Sequence, residues 1–91
     1  MLPRITNYGK YSNDNYGAHT LKIETDGIEL WYSYETIVAY RDDKDGLVVT
    51  QNRWGVTTGK HLNFIHEDKK RRKDSETFEK MLKDAIARHI V

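Results

Sequence analysis

A tight turn flanked by alternating apolar and polar residues is the strongest structural signal in the chain. Residues 20–34 read T-L-K-I-E-T-D-G-I-E-L-W-Y-S-Y, and Asp26-Gly27 is a pair that accepts the positive φ values of a two-residue hairpin turn. A turn at this position pairs Ile23 with Leu30 and creates one apolar face, as a half-buried antiparallel sheet requires. The opposite, polar face carries Thr20, Lys22, Glu24, Glu29, Trp31 and Ser33.

Two like charges meet on the polar face of this hairpin. The same register places Glu24 opposite Glu29, and a like-charge cross-strand pair costs a little free energy. We expect Lys22, two residues before Glu24, to lean across and relieve the repulsion. The alternation as a whole predicts strands at residues 18–25 and 28–34.

Three segments after the hairpin have patterns typical of strands or turns. Residues 36–40 (T-I-V-A-Y) form a continuous apolar run, which predicts a strand buried on both faces. Residues 47–51 (L-V-V-T-Q) follow a turn and predict the next strand. Residues 53–60 are rich in turn formers, and residues 61–65 (H-L-N-F-I) fit either a fifth strand or one helical turn.

An amphipathic pattern covers the last part of the chain. Apolar residues recur at three- and four-residue steps over residues 75–90, which predicts a helix, and Asp74 or Ser75 suits its N-cap. Strands followed by one helix predict an α+β fold: an antiparallel four- to five-stranded β-meander with one C-terminal amphipathic helix packed on a face. A strongly curled sheet, close to a small barrel, is the alternative. The apolar stripe consists of Phe78, Met81, Leu82, Ala85, Ile86 and Ile90.

The composition fits one small domain and excludes several classes of site. At 91 residues the chain has single-domain size, and we divide it into a Tyr/Asn/Gly loop at 7–17, the β-meander at 18–65 and the helix at 75–90. It contains no cysteine, which excludes disulfides and thiolate metal sites. Residues 1–5 lack the apolar segment of a secretory signal, and no apolar run is long enough to span a bilayer, so we expect neither.

The net charge of +1 conceals an uneven distribution. Residues 1–45 hold five Lys or Arg against eight Asp or Glu, a balance of −3, whereas residues 46–91 hold ten against six, a balance of +4. Such asymmetry indicates either an anionic partner for the basic half or a mixed solvated surface. Its densest part is a run of five cations, which is either a phosphate footprint or a solvated loop. The run consists of Lys69, Lys70, Arg71, Arg72 and Lys73.

Residues 55–61 (G-V-T-T-G-K-H) have the composition of an anion-binding turn. Glycines let backbone N–H groups face an anion, and Lys60 adds charge. A Walker A loop has four residues between its glycines and Ser or Thr after its lysine, whereas here the spacing is three and His61 follows. A nucleotide-hydrolysing P-loop is therefore excluded. A looser anion-binding turn that uses Thr57, Thr58, Lys60 and His61 stays open beside a plain hairpin loop.

The segment before the hairpin is rich in tyrosine, asparagine and glycine. Tyrosine with small polar residues is typical of adaptable contact surfaces, and its ring also stacks on nucleobases. The alternative is that these rings cover the open end of a small core. The residues concerned are Asn7, Tyr8, Tyr11, Ser12, Asn15, Tyr16 and His19.

The chain contains no recognisable catalytic or metal-binding set. No motif combines a nucleophile with a histidine and a carboxylate, and the histidines do not have the three or four converging ligands of a zinc site. Arg41, at the end of the predicted buried strand, needs a carboxylate or phosphate partner, so it belongs either to an ion pair or to a binding site. We expect no enzymatic activity, no cofactor and no bound metal.

Several motifs resemble those of a known group of sequences. The motifs are N-Y-G-K-Y-S-N-D-N-Y-G-A-H at 7–19, S-Y-E-T-I-V-A-Y-R at 33–41, W-G at 54–55 and T-T-G-K-H-L-N at 57–63. In these the chain resembles a family of small uncharacterised domains from phage, mobile-element and archaeal or bacterial genomes, over residues 7–82. The resemblance implies a viral or prokaryotic cytoplasmic setting and no activity. Its polar and aromatic positions are our site candidates: Asn7, Tyr8, Tyr11, Ser12, Asn15, Tyr16, His19, Arg41, Trp54, Thr57, Thr58, Lys60 and His61.

Two functions are consistent with these features. The first is a non-enzymatic binding module for a phosphate-bearing ligand, either a nucleic acid or a nucleotide, with Trp54 and the tyrosines stacking on bases and with Lys60, Arg41 and His61 meeting phosphate. The second is a small protein-binding accessory or inhibitor that acts on a host protein. Neither involves a membrane, and self-association into a homo-oligomer stays open. We expect a cytoplasmic location, in the host cytoplasm if the protein is viral.

Overall fold

The computed structural model describes residues 2–8 and 20–90 of the chain. Five antiparallel strands form one open sheet, and their order across the sheet equals their order in the sequence. They are β1 (Arg4–Asn7), β2 (Leu21–Thr25), β3 (Ile28–Ser33), β4 (Thr36–Asp42) and β5 (Gly46–Val49). Two helices, α1 (Val56–Ile65) and α2 (Ser75–His89), and a 3-10 turn at Lys69–Arg71 complete these ranges. No helix in the described ranges is both long and apolar enough to cross a membrane.

The predicted α+β meander with a C-terminal helix is confirmed, with one strand in a different place. The fifth strand is β1, which pairs with β2 through Ile5 and Ile23. Residues 61–65, predicted as either a strand or a single helical turn, are the second half of α1. The sheet does not close into a barrel, because β1 and β5 lie at its opposite edges.

The register of the β2–β3 hairpin agrees with the sequence pattern. Ile23 pairs with Leu30 and Glu24 with Glu29, and the turn residues have φ values of 49° and 84°. The ammonium group of Lys22 lies 3.1 Å from a Glu24 carboxylate oxygen and 2.7 Å from one of Glu29. This lysine therefore bridges the two carboxylates and relieves their repulsion, as expected.

Helix α2 covers one face of the sheet and completes the larger core. Asp74 is its N-cap and accepts a hydrogen bond from the Thr77 backbone N–H at 2.7 Å. Phe78 and Ala85 are buried against the sheet, and Tyr40 of β4 is fully buried beneath them. The other core members on this face are Ile28, Leu30 and Val48, with Ile23, Tyr32, Ile37, Met81, Leu82 and Ile86 partly buried.

Helix α1 covers part of the opposite face, which the sequence pattern had indicated to be polar. Trp31 and Ser33, expected on an exposed face, are buried there. A register shift between β3 and β4 pairs Trp31 with Ala39 and the next residue with Ile37. The extra residue, Val38, packs on the same side as Ala39, as is usual at a β-bulge. This widened apolar patch gives Leu62 of α1 a place to bury.

Candidate functional site

The sequence-predicted site residues that the structure describes do not lie together in one exposed cleft. Tyr11, Ser12, Asn15, Tyr16 and His19 lie outside the described residues. The others fall into three places: an internal polar cluster, a charged row on the sheet, and the surface on both sides of residues 51–54. Each place has a different chemical character.

The internal cluster contains Thr58 and His61. The Ser33 hydroxyl lies 2.7 Å from His61 Nδ1 and 3.1 Å from the Thr58 hydroxyl, and the Tyr34 ring is 5.8 Å from the imidazole. The side chain of His61 is only 2% exposed, and Thr58 and Ser33 are also buried. These groups therefore satisfy one another beneath α1 and do not face a ligand. Thr57 lies in the first turn of α1, and its side chain is outside the described part.

Asn7 and Tyr8 both contact buried groups of the sheet close to the internal cluster. The Tyr8 hydroxyl donates to the Tyr32 carbonyl at 2.8 Å, and its ring packs against the cluster of Trp31 and Leu62. Burial raises the pKa of this tyrosine. Asn7 accepts a hydrogen bond from the buried Thr20 hydroxyl. Tyr8 thus covers the core, which is the structural alternative considered for it.

Arg41 forms an ion pair within a charged row on the sheet. Its Nε and Nη2 donate to the two carboxylate oxygens of Glu29 at 2.6 and 3.0 Å. The hydrogen bonds from Arg41 have the largest effect on Glu29 and lower its pKa. Burial raises this pKa and Lys22 lowers it, and the result is a pKa of about 2. Of the two roles predicted for Arg41, the structure shows the ion pair.

A second set of paired charges closes the end of the sheet near the C-terminus of α2. We call Asp42, Asp45, Arg88 and His89 the acidic end. Asp42, whose side chain is fully buried, accepts from Arg88 Nη2 at 2.6 Å, from His89 Nε2 at 3.1 Å and from the Asp45 N–H at 2.7 Å. Although burial alone would raise it, these donors lower the pKa of Asp42 to about 2.

Two residues of the acidic end and the neighbouring Asp43 have the spacing of metal ligands. Asp42, Asp43 and His89 present donor atoms within 4.8 Å of one another. The carboxylate of Asp42 already receives three hydrogen bonds, one of them from the cation Arg88. The arrangement is therefore accounted for as an ion-pair cluster.

Residues of the basic run and Gly59, from the predicted anion-binding turn at 55–61, line one groove at the edge of the sheet. We call Lys69, Lys70, Arg71, Arg72 and Lys73 the cationic edge. A groove of about 270 Å³ lies between this edge and α1. Two of its lining residues are cations, and none of those that the structure describes is acidic. They are Gln51, Asn52, Gly59, Asn63, Lys69 and Arg72.

Main-chain pairing holds the cationic edge beside β5. The Lys73 N–H donates to the Val49 carbonyl at 2.8 Å, and the Lys73 carbonyl accepts from the Gln51 N–H at 2.7 Å. These bonds form a parallel bridge between Lys73 and Thr50 at the edge of the sheet. The run is therefore fixed next to residues 51–52, and the groove is built into the fold.

Asn52 and Gly59 form the floor between the edge and the helix. Asn52 Oδ1 accepts from the Trp54 and Gly55 N–H groups at 3.0 and 3.3 Å, and its Nδ2 donates to the Gly55 carbonyl at 2.9 Å. A Cβ on Gly59 would lie 3.0 Å from Asn52 Nδ2. Glycine inside a helix costs about 1 kcal/mol relative to alanine, and here it allows the close approach of Asn52.

Arg72 is the most constrained cation of the groove. Its Nη2 donates to Asn63 Oδ1 at 2.9 Å and to the His66 carbonyl at 3.3 Å. Its Nε is buried without a hydrogen-bond partner in the described part of the chain, and burial lowers the pKa of the guanidinium. An unsatisfied buried donor costs about 1–3 kcal/mol. Arg72 is therefore a partly buried cation at the groove that has no carboxylate partner among the described residues.

The cationic edge has no carboxylate partner among the described residues. The acidic residues that flank it are used for helix capping: Asp68 accepts from the Lys70 N–H at 3.0 Å, and Asp74 caps α2. Lys60, which follows Gly59, is exposed. The sequence analysis considered Gly59 as part of residues 55–61 but did not name the amide residues of the groove, Gln51, Asn52 and Asn63, as site residues. The four-residue spacing of Gly59 and Asn63 would have indicated a shared helix face had the segment been recognised as helical.

Trp54, at the end of residues 51–54, does not line the groove. It is 42% exposed, and the Arg53 guanidinium lies 5.2 Å from the centre of its ring. It lines a separate recess on the side of the sheet covered by α2, with Tyr32 and Phe78. Residues 51–54 therefore contribute to both depressions, with Gln51 and Asn52 in the groove and Trp54 in the recess.

Comparison with known proteins gives one match. The model of a family described as being of unknown function, DUF8033, matches residues 4–80. No curated protein and no solved structure matches the chain. The predicted resemblance to a family of uncharacterised domains is confirmed at this level.

Proposed function

Because the chain belongs to the family of unknown function DUF8033, we propose its role from its own surface: it is a non-enzymatic binding protein for a phosphate-bearing ligand. The ligand is a nucleic acid, and the binding surface is the groove together with the cationic edge. The resemblance noted from the sequence supports a viral or prokaryotic origin and a cytoplasmic site of action.

The observation that carries this proposal is that the cations of the groove have no carboxylate partner among the described residues. Lys69 and Arg72 line it, no carboxylate does, and the cationic edge has no carboxylate partner among the described residues. Cations held close together repel one another, and a phosphate removes that repulsion. Amide side chains such as Asn52 and Asn63 add neutral hydrogen-bond donors of the kind that contact phosphate and sugar oxygens.

The positions of the cations favour a ligand with several consecutive phosphates, a nucleic acid, over a single nucleotide. Lys69, Lys70, Arg71 and Lys73 are exposed along the surface, and the groove is shallow. Cations strung along a surface match repeated phosphates, which is the usual electrostatic footprint of a nucleic-acid-binding protein. The uncapped N-terminus of α1, which has no acidic residue in its first turn, adds a partial positive charge one turn before Gly59.

The test is fluorescence polarisation with labelled DNA and RNA oligonucleotides at two salt concentrations. The test variant carries Lys69→Gln, Lys70→Gln and Lys73→Gln. The matched control carries Lys44→Gln, Lys80→Gln and Lys83→Gln, which removes the same charge from exposed lysines outside the groove. If all three edge lysines contact phosphates, the slope of log affinity against log salt falls by about 2 for a single strand in the test variant, and stays unchanged in the control. Equal losses in both variants would attribute binding to net charge alone, and absence of binding would overturn the proposal.

A second candidate, a protein-binding accessory, is favoured by the opposite edge of the sheet. Leu2, just before β1, is 90% exposed and Ile5, within β1, is 60% exposed, and no described strand pairs with the outer side of β1. An open strand of this kind accepts an added strand from a partner. Affinity capture from a lysate treated with nuclease separates the two functions. A stoichiometric protein that is retained after nuclease and lost on Ile5→Lys would favour this candidate.

A further inference from the structure

A second recess differs from the groove in chemical character. It has a volume of about 350 Å³ and lies between β3, β4 and the start of α2. Three aromatic residues, Tyr32, Trp54 and Phe78, line it, and so do the carboxylates of Glu35 and Glu79. Its volume is at the lower end of the range of small-ligand sites, about 300–1,000 Å³. We call it the aromatic recess.

One short segment contributes residues to both depressions. Gln51 and Asn52 line the groove, and Arg53 and Trp54 line the aromatic recess. Asn52 contacts a residue of each depression. Its Oδ1 accepts a hydrogen bond from the Trp54 N–H at 3.0 Å, and its Nδ2 lies against Gly59. A ligand that crosses this segment would place one part on each side of it.

The Trp54 ring is held in place and still accessible. The Arg53 guanidinium lies 5.2 Å from its centre, and Arg53 Nη2 lies 3.4 Å from a Glu79 carboxylate oxygen. With 42% of its side chain exposed, the ring retains a free surface. A tryptophan supported by an arginine is a suitable stacking partner for a planar group.

Resting on the proposed function, we propose that the nucleic acid is bound as a single strand, with a phosphate in the groove and the adjoining base stacked on Trp54 at the aromatic recess. The charges of the two depressions orient the ligand. Among the described residues, the groove is lined by the cations Lys69 and Arg72 and by no carboxylate. The recess is lined by Glu35 and Glu79 against one cation, Arg53, which pairs with Glu79, so its excess negative charge comes from Glu35, which repels phosphate and tolerates a neutral base. A duplex cannot make this contact, because its bases are paired and stacked on one another.

The experiment compares three probes on the full chain: an oligothymidylate, a blunt duplex of the same length, and inorganic polyphosphate. The wild-type protein is expected to bind the oligothymidylate more tightly than the duplex. Trp54→Ala should weaken binding of the single strand about tenfold, in line with the loss of one base–aromatic stack, and Trp54→Phe should restore most of it. Polyphosphate has no bases, so its affinity should be equal for all three proteins.

Intrinsic tryptophan fluorescence supplies a second readout. The chain has two tryptophans, and Trp31 is buried, so quenching by the oligothymidylate should be absent in Trp54→Ala. Equal affinity of wild type and Trp54→Ala for the single strand, or equal affinity of the wild type for single strand and duplex, would overturn this inference while leaving nucleic-acid binding intact. Absence of binding by every probe would overturn the proposed function and this inference together.

Discussion

The acidic end and the cationic edge both concentrate charge, but only the first balances it internally. At the acidic end Arg88 lies 2.6 Å from Asp42 and 3.1 Å from Asp45, and His89 also faces Asp42. At the cationic edge, Lys69 and Arg72 line a groove that has no carboxylate within the described ranges 2–8 and 20–90, and the nearby Asp68 and Asp74 accept hydrogen bonds from main-chain N–H groups. Charge therefore has a structural role in one region and is available for a ligand in the other.

The difference shows how a charge run in a small protein is to be interpreted. Arg41 was a candidate for either an ion pair or a phosphate site because of its place at the end of a buried strand, and the structure shows two hydrogen bonds from it to Glu29. Arg72, in a run that resembled a solvated loop, is half-buried and has an unsatisfied Nε. The presence of a partner carboxylate, rather than the density of positive charge, separates the two cases.

The largest expected effect is on the acidic end. Asp42→Ala should lower the free energy of unfolding by about 3 kcal/mol, because it leaves Arg88 and His89 without their buried partner. Urea denaturation followed by circular dichroism measures this loss. Asp43→Ala, at a neighbouring side chain that is 90% exposed, is the control and should change stability by less than about 0.5 kcal/mol. A loss in Asp42→Ala as small as the loss in the control would show that the ion-pair cluster does not stabilise the fold.

Acidification should weaken the same pairs. The folded-state pKa values of Glu29 and Asp42 are both lowered to about 2, so their stabilisation is fully present above the unfolded-state pKa of about 4 and is lost as the pH falls toward 2. Between pH 5 and pH 3 the free energy of unfolding should fall by about 2 kcal/mol. The Lys69→Gln, Lys70→Gln, Lys73→Gln variant should show the same pH dependence, because its substitutions remove no carboxylate. Stability that stays constant down to pH 3 would contradict the assigned pairing.

A smaller effect is expected when the groove is given its own counter-ion. Asn63→Asp places a carboxylate where Arg72 Nη2 now donates to an amide oxygen at 2.9 Å. The new pair should compete with phosphate and weaken nucleic-acid binding about tenfold, a free-energy change of about 1.4 kcal/mol. Polarisation assays measure the affinity, and Asn63→Ala is the matched control, because it removes the amide without adding charge. Equal effects of the two substitutions would show that the charge balance of the groove is unimportant.

The hairpin at residues 20–34 could be predicted in detail, because its information is local. Alternation defines the faces, Asp26-Gly27 defines the turn, and together they fix the register that pairs Ile23 with Leu30. The position of Lys22 between Glu24 and Glu29 followed from the same register.

Helix α1 could not be predicted, because its stability depends on contacts distant in sequence. Gly59 inside the helix and threonines at its start are weak helix formers. The helix is held by Leu62 and Ile65, which pack on Trp31, Ala39 and other residues of the opposite sheet face. That face was widened by a bulge that no local pattern signals.

The candidate site was predictable only in its charges. The run at residues 69–73 and Lys60 were recognised from composition, whereas Asn52, Gly59 and Asn63 enter the groove through α1 and the bridge between Thr50 and Lys73. Thr58 and His61, attractive as anion ligands, are internal because the segment is helical and turns them toward Ser33.

Backbone amide chemical-shift mapping with a short single-stranded oligonucleotide tests the central claim most directly. The largest shifts should occur at residues 51–54, 59–63 and 69–73, which surround the groove and the cationic edge. The acidic end, at residues 42–46, should not respond. Shifts concentrated at the acidic end or along β1, or no shifts at all, would contradict the assignment of the unpaired cations to ligand binding.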